Sequence, residues 1–160
     1  MIRKFQQTDL DAVMDIWLRS NIEVHGFIPA KFWEGKFTEC RSLIPSAEVY
    51  VSENENGIDG FIGLSQDYIE GIFVDKSART KGIGTALINT AKKGRDQLFL
   101  SVYTKNRAAI DFYIKQGFKP DCLHTDEETS EQEYIMLWER NGGFPSENIL
   151  RAKAKILSAS

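Results

Sequence analysis

The sequence predicts a mixed α/β sheet, and three observations carry that expectation. Residues 48–74 alternate apolar and polar side chains around an Asn56-Gly57 turn, which reads as an antiparallel meander. A helical run through Lys93 then joins the strand ending at Val74 to one at residues 97–103, and a right-handed crossover of this kind makes its two strands parallel neighbours. Residues 118–123 and 134–138 supply a last pair of strands.

Residues 2–5 read as a short first strand. Thr8 is placed to cap a helix, with Asp11 three residues on, and Leu10, Val13, Met14 and Trp17 repeat at helical spacing. A second helix starts near Pro29, carries Phe32, Trp33, Phe37 and Leu43 as core residues, and stops at Pro45. Val49 and Val51 open the meander, in which Gly60, Gly63 and Gly71 mark bulges or the close approach of a ligand. Asn106 caps a further helix that ends at Gly117. Residues 1–140 form one domain. Asn141-Gly142-Gly143 is a break, and Ile149, Ala152, Lys153 and Ile156 suggest a short amphipathic helix in residues 141–160, with a solvated tail as the alternative.

Composition narrows the function. A chain of 160 residues, 42% apolar, buries a core large enough to need neither metal nor disulfide. Cys40 and Cys122 stand alone and there are two histidines, so no metal site is expected and the thiols read as reduced, in a cytoplasmic protein. Arg3, Lys4, Asp9 and Asp11 interrupt any secretory leader, and no apolar run approaches the ~18 residues of a membrane span. With a net charge of −3 and scattered basic residues, nucleic acid is not an expected partner.

The chemistry concentrates in Arg79-Thr80-Lys81-Gly82-Ile83-Gly84-Thr85, between a strand and a helix. Two glycines let the backbone approach a ligand, and the first amides of the helix point at it together with the positive end of the helix dipole. A pyrophosphate suits such a cradle. The dinucleotide fingerprint would need a small residue where Leu87 stands, and the P-loop would need Gly-Lys-Ser/Thr, so neither nucleotide motif is satisfied.

Arg79-x-x-Gly82-x-Gly84 instead resembles the coenzyme A signature of the GNAT acetyltransferases, and Asn106-x-x-Ala109-x-x-Phe112-Tyr113 followed by Gly117-Phe118 is similar to a second element of that family. Met1-Ile2-Arg3 and His25-Gly26-Phe27-Ile28 are similar to a bacterial subgroup that includes protein lysine acetyltransferases. The likeness covers residues 1 to about 140; Lys76 stands where many members have proline. The resemblance implies a six- to seven-stranded, mostly antiparallel sheet with splayed parallel strands four and five and about four helices. It also implies direct transfer of acetyl from acetyl-CoA to a primary amine, with no metal, by a monomer or homodimer.

On that resemblance, acetyl-CoA is bound by residues 79–85, by the backbone of Ile72, Phe73 and Val74, and by Asn106, Ala109, Phe112 and Tyr113. Tyr113 protonates the departing thiolate. Glu70 shares strand parity with Ile72 and Val74 unless a bulge intervenes, which makes it the candidate base. His25, Phe27 and Tyr68 border the acceptor, and Asp126, Glu127, Glu128, Glu131 and Glu133 crowd a loop suited to a cationic amine. Two alternatives stay open: a non-catalytic acyl-CoA-binding or partner-binding module of the same fold, and a nucleotide-dependent enzyme using the same cradle.

Overall fold

The computed structural model describes residues 1–141, so the expected C-terminal helix lies outside the described residues. Among the described residues the chain forms seven strands in one sheet, of order β1-β2-β3-β4-β5-β7-β6, and four α-helices. Two compact units emerge among the described residues: Met1–Gln66 with Glu70–Ala91, and Asp67–Ile69 with the described residues from Lys92 onward.

The first unit contains β1 (Ile2–Lys4), α1 (Leu10–Val24), α2 (Ala30–Leu43), β2 (Glu48–Asn54), β3 (Gly57–Ser65), most of β4 (Tyr68–Val74), and α3 (Ile83–Lys92) except its last residue. β1, β2 and β3 pair antiparallel, with Val51 facing Phe61 and Tyr50 facing Ile62. The hairpin turns where the sequence places it. Gly57 takes φ +119°, and the Asn54 side chain accepts from the Asn56 amide at 2.7 Å. Val13, Met14, Val51, Phe61 and Ile62 are all buried, each large side chain contributing roughly 1.5–3 kcal/mol.

One helix start departs from expectation. Thr8 does not cap α1; it lies in a 3-10 turn, Gln7–Asp9, and the helix starts at Leu10. Asp9 fixes that start, accepting the Gln6 amide at 2.8 Å and both prongs of the Arg3 guanidinium at 2.8 and 2.9 Å, while Arg3 also reaches Glu53. The Arg3 hydrogen bonds hold the Asp9 carboxyl below its ordinary range. In α2, Pro29 is the N-cap, and Pro45 falls in a 3-10 turn, Ile44–Ser46, after the helix ends. Of the four α2 residues expected in the core only Trp33 is buried, edge-on to Trp17 at 6.0 Å, whereas Leu43 is exposed.

The second unit holds the start of β4, β5 (Gln97–Tyr103), α4 (Arg107–Lys115), β6 (Lys119–Thr125) and β7 (Gln132–Glu139). The crossover rule holds: β4 and β5 are parallel, Tyr68 facing Phe99 and Ile69 facing Leu100. β7 lies antiparallel between β5 and β6. α4 begins where expected, the Asn106 side chain accepting from the Ala109 amide at 3.3 Å. It ends at Lys115, just ahead of Gly117, whose φ of +94° lets Phe118 donate back to Tyr113 at 3.0 Å. No helix among the described residues is long and apolar enough to cross a membrane.

Candidate active site

In the first unit β4 runs into the cradle through a 3-10 turn, Lys76–Ala78, pinned by the Asp75 amide donating to Asp59 at 2.8 Å. Arg79 braces the turn. Its Nε donates to the Val74 carbonyl at 3.0 Å and its guanidinium lies 3.4 Å from Glu23, so the side chain first holds the loop in shape. Thr80 and Gly82 both take left-handed conformations, φ +71° and +80°. Such strain in a residue other than glycine is concentrated at ligand sites. A Cβ built on Gly82 would meet nothing within 4 Å, and the Gly82 carbonyl accepts the Ala86 amide at 3.0 Å. The cradle is therefore open on the side where a pyrophosphate would lie, with the first amides of α3 ahead of it.

Ile83 fixes the helix start. A Cβ on Gly60 would come within 3.1 Å of the Ile83 side chain and 3.0 Å of the Phe73 carbonyl, so Gly60 serves strand–helix packing and not a ligand. Gly71 likewise is filled from within: the Phe73 ring lies where its Cβ would stand, 2.5 Å away.

β4 does bulge. Asp75 pairs with Asp59 and Phe73 stacks on Phe61 at 5.2 Å, so regular alternation would next set Gly71 against Gly63. The side chain beside Gly63 is that of Glu70 instead, its Cβ 3.9 Å from a Cβ built there, so one extra residue is inserted between Glu70 and Phe73. The parity that joined Glu70 to Ile72 and Val74 is lost, and Glu70 stands on the face of Phe61 and Phe73. Desolvation raises its carboxyl pKa. Cys40, on α2, feels that carboxylate; burial first, then Glu70 and Glu39, push its thiol up to about 11, which leaves it unreactive at neutral pH.

His25 ends α1 and is buried, stacked on Trp33 at 5.3 Å and edge-on to Phe27 at 5.7 Å. Burial lowers its pKa to about 4, so these surroundings hold a neutral aromatic ring.

In the second unit Tyr113 is buried on α4 between Phe112 and Phe118, with ring centroids 5.4 and 5.6 Å away. Burial, and then proximity to the Tyr68 phenol, raises its pKa, so the hydroxyl is a proton donor at every physiological pH. Tyr68 packs on Phe99 at 4.9 Å, with Leu137 beside them. Of the acidic loop, Glu127 and Glu128 are exposed and Glu131 pairs with Lys105 at 3.0 Å. Asp126 and Glu133 turn inward, Asp126 accepting from the Tyr103 hydroxyl at 2.9 Å. Sequence reasoning missed Tyr103 and Ser101, whose neighbours are set by strand register and by no local motif. Among the described residues no group of three or more potential metal ligands occurs.

A family model for an acetyltransferase (GNAT) domain matches residues 45–120. The peptidyl-lysine N-acetyltransferase YiaC of Escherichia coli K12 is 35% identical over 141 residues, covering 86% of this chain and 96% of that protein. The peptidyl-lysine N-acetyltransferase YjaB of the same organism is 31% identical over 119 residues, 74% of this chain and 81% of that one. The solution structure of apo YjaB superposes with a TM-score of 0.77 at 27% identity, over 86% of this chain and 96% of that one. A Bacillus anthracis protein solved in complex with acetyl coenzyme A superposes with a TM-score of 0.53 at 31% identity, over 58% and 62%.

Proposed function

The chain belongs to the GNAT acetyltransferases, an acetyl-CoA-using family, and from that premise we propose that it acetylates the side-chain amine of peptidyl lysine with acetyl-CoA as donor. The observation that carries the cosubstrate is the open cradle at Gly82, whose left-handed backbone leads into α3. The lysine acceptor is supported by the match to YiaC along nearly all of that protein.

The roles divide as follows. Backbone amides of residues 80–84 hold the pyrophosphate, Lys81 adds positive charge at the exposed lip, and Arg79 keeps the loop in register. The family resemblance assigns the amides of the pantetheine arm to backbone groups of Ile72, Phe73 and Val74 on β4. The acceptor nitrogen attacks the thioester carbonyl directly, so the protein must orient the two partners and move two protons. Tyr113 delivers one to the leaving sulfur. Asn106 fixes the first turn of α4 and thereby the place of Ala109, Phe112 and Tyr113 along it.

Thiol release from acetyl-CoA tests this with a lysine peptide, an α-amine peptide and small polyamines as acceptors. Lysine-dependent release with a mass gain of one acetyl on the peptide is expected. Cofactor-induced stabilisation without release on any acceptor would identify a binding module instead.

A further inference from the structure

Sheet register assembles one polar strip in the second unit. On a single face, β5 contributes Phe99, Ser101 and Tyr103; opposite them β7 contributes Leu137, Ile135 and Glu133. Glu133 in turn faces His124 of β6, and Tyr68 of β4 faces Phe99. The strip is apolar at Tyr68, Phe99 and Leu137 and becomes polar toward Tyr103 and Glu133.

Two features of the strip are unexplained by folding. The Ser101 hydroxyl is shut off from solvent and has no hydrogen-bond partner among the described residues, which costs stability unless something absent from the free protein bonds to it. Glu133 is a carboxylate with its side chain only 14% exposed, and its ion pair to His124 Nε2 is a loose one at 3.7 Å. Ser101 and Glu133 are diagonal neighbours across the β5–β7 pair, about 7–8 Å apart at Cα, a span that one amine nitrogen with its protons bridges.

We propose that Glu133 is the base that deprotonates the acceptor ammonium, with the Ser101 hydroxyl accepting a hydrogen bond from the same nitrogen. This rests on the lysine-acetyltransferase reading above. In the step, the ammonium gives one proton to the Glu133 carboxylate, and the freed lone pair forms the C–N bond at the thioester carbonyl. Collapse breaks the C–S bond. The sulfur takes its proton from Tyr113, the nitrogen sheds its second proton to restore Tyr113, and Glu133 returns its own to solvent, so one proton leaves per turnover.

The groups around Glu133 suit the task. Tyr103 faces it from β5, His124 from β6, and Asp126 approaches from the β6–β7 turn, while Lys105 is held away by Glu131 at 3.0 Å. Burial, and then the Asp126 charge, push the Glu133 carboxyl up to about 7, where a base is both available and strong enough at neutral pH.

The test is steady-state kinetics of wild type, Glu133→Gln and Ser101→Ala with a lysine peptide at saturating acetyl-CoA, from pH 6 to 9. Wild-type kcat/KM for the peptide should rise through about pH 7. Glu133→Gln should lose that limb and about 100- to 10,000-fold in kcat, with thermal stabilisation by acetyl-CoA intact. Ser101→Ala should raise the peptide KM and leave that of acetyl-CoA alone. If the Gln variant does not fold, Glu133→Asp serves, with kcat lowered and the limb retained. A folded Gln variant within about twofold of wild type, or one that keeps the limb, overturns the assignment while lysine acetylation stands. A wild type that acetylates no amine removes the enzymatic reading and this inference with it.

Discussion

His25 makes the stability of this protein depend on pH in a way that can be worked out from its surroundings. Packed against Trp33 and Phe27, its imidazole has a pKa of about 4 in the folded chain, against 6.5 when exposed. Between those values the unfolded chain binds a proton that the folded chain refuses, so stability falls as the pH drops from 6.5 toward 4. Above 6.5 the ring is neutral in both states and costs nothing. Each pH unit in the window costs about 1.4 kcal/mol, and with the ring almost wholly buried the loss between pH 7.5 and 4.5 comes to about 2–3 kcal/mol. Carboxylates such as Asp9 and Asp75, whose pKa values are lowered by their arginine and serine partners, add their own acid sensitivity. The comparison is therefore with His25→Phe, which keeps a ring on Trp33 and removes the titration. Urea unfolding of both proteins at half-unit steps should show the wild type losing about 2–3 kcal/mol relative to His25→Phe between pH 7.5 and 4.5, whatever their offset at pH 7.5. Curves that stay parallel would show that His25 is not held neutral, and the packing account would fail.

Gly82→Val should weaken acetyl-CoA binding at least tenfold by calorimetry, because a side chain would stand in the open cradle and the φ of +80° adds about 1–2 kcal/mol of backbone strain; unchanged affinity would sink the cradle assignment. Tyr113→Phe should keep the fold and cosubstrate affinity and lose about 100- to 10,000-fold in kcat, and retention of more than half would reduce Tyr113 to a packing residue. Gly71→Ala should destabilise the protein by about 1–3 kcal/mol, since its methyl must displace the Phe73 ring from 2.5 Å; a melt identical to wild type would refute that packing.

What the sequence made legible was what short-range chemistry decides. Asn56-Gly57 dictates its own turn and Asn106 and Gly117 bracket α4, each within a handful of residues. The crossover rule extended this to the parallel β4–β5 pair. Where partners come from far along the chain, reading stopped. The start of α1 depends on Arg3 and, through it, on Glu53. The bulge in β4 depends on how Phe73 settles against Phe61, and alternation alone put Glu70 on the wrong face. Tyr103, Ser101 and Glu133 meet only because β5 and β7 pair in one register. Gly60 and Gly71 carried a true signal of close approach, but the approaching groups are Ile83 and Phe73.

The glycines of this chain consequently answer to two different masters. Gly71 is bound to Phe73 as a pair: a chain with a small side chain at 73 would free position 71 to carry almost anything, so among relatives the two positions should change together. Gly82 has no such partner. The demand on Gly82 comes from its own backbone, at φ +80°, and the open space beside it is the place proposed for the pyrophosphate.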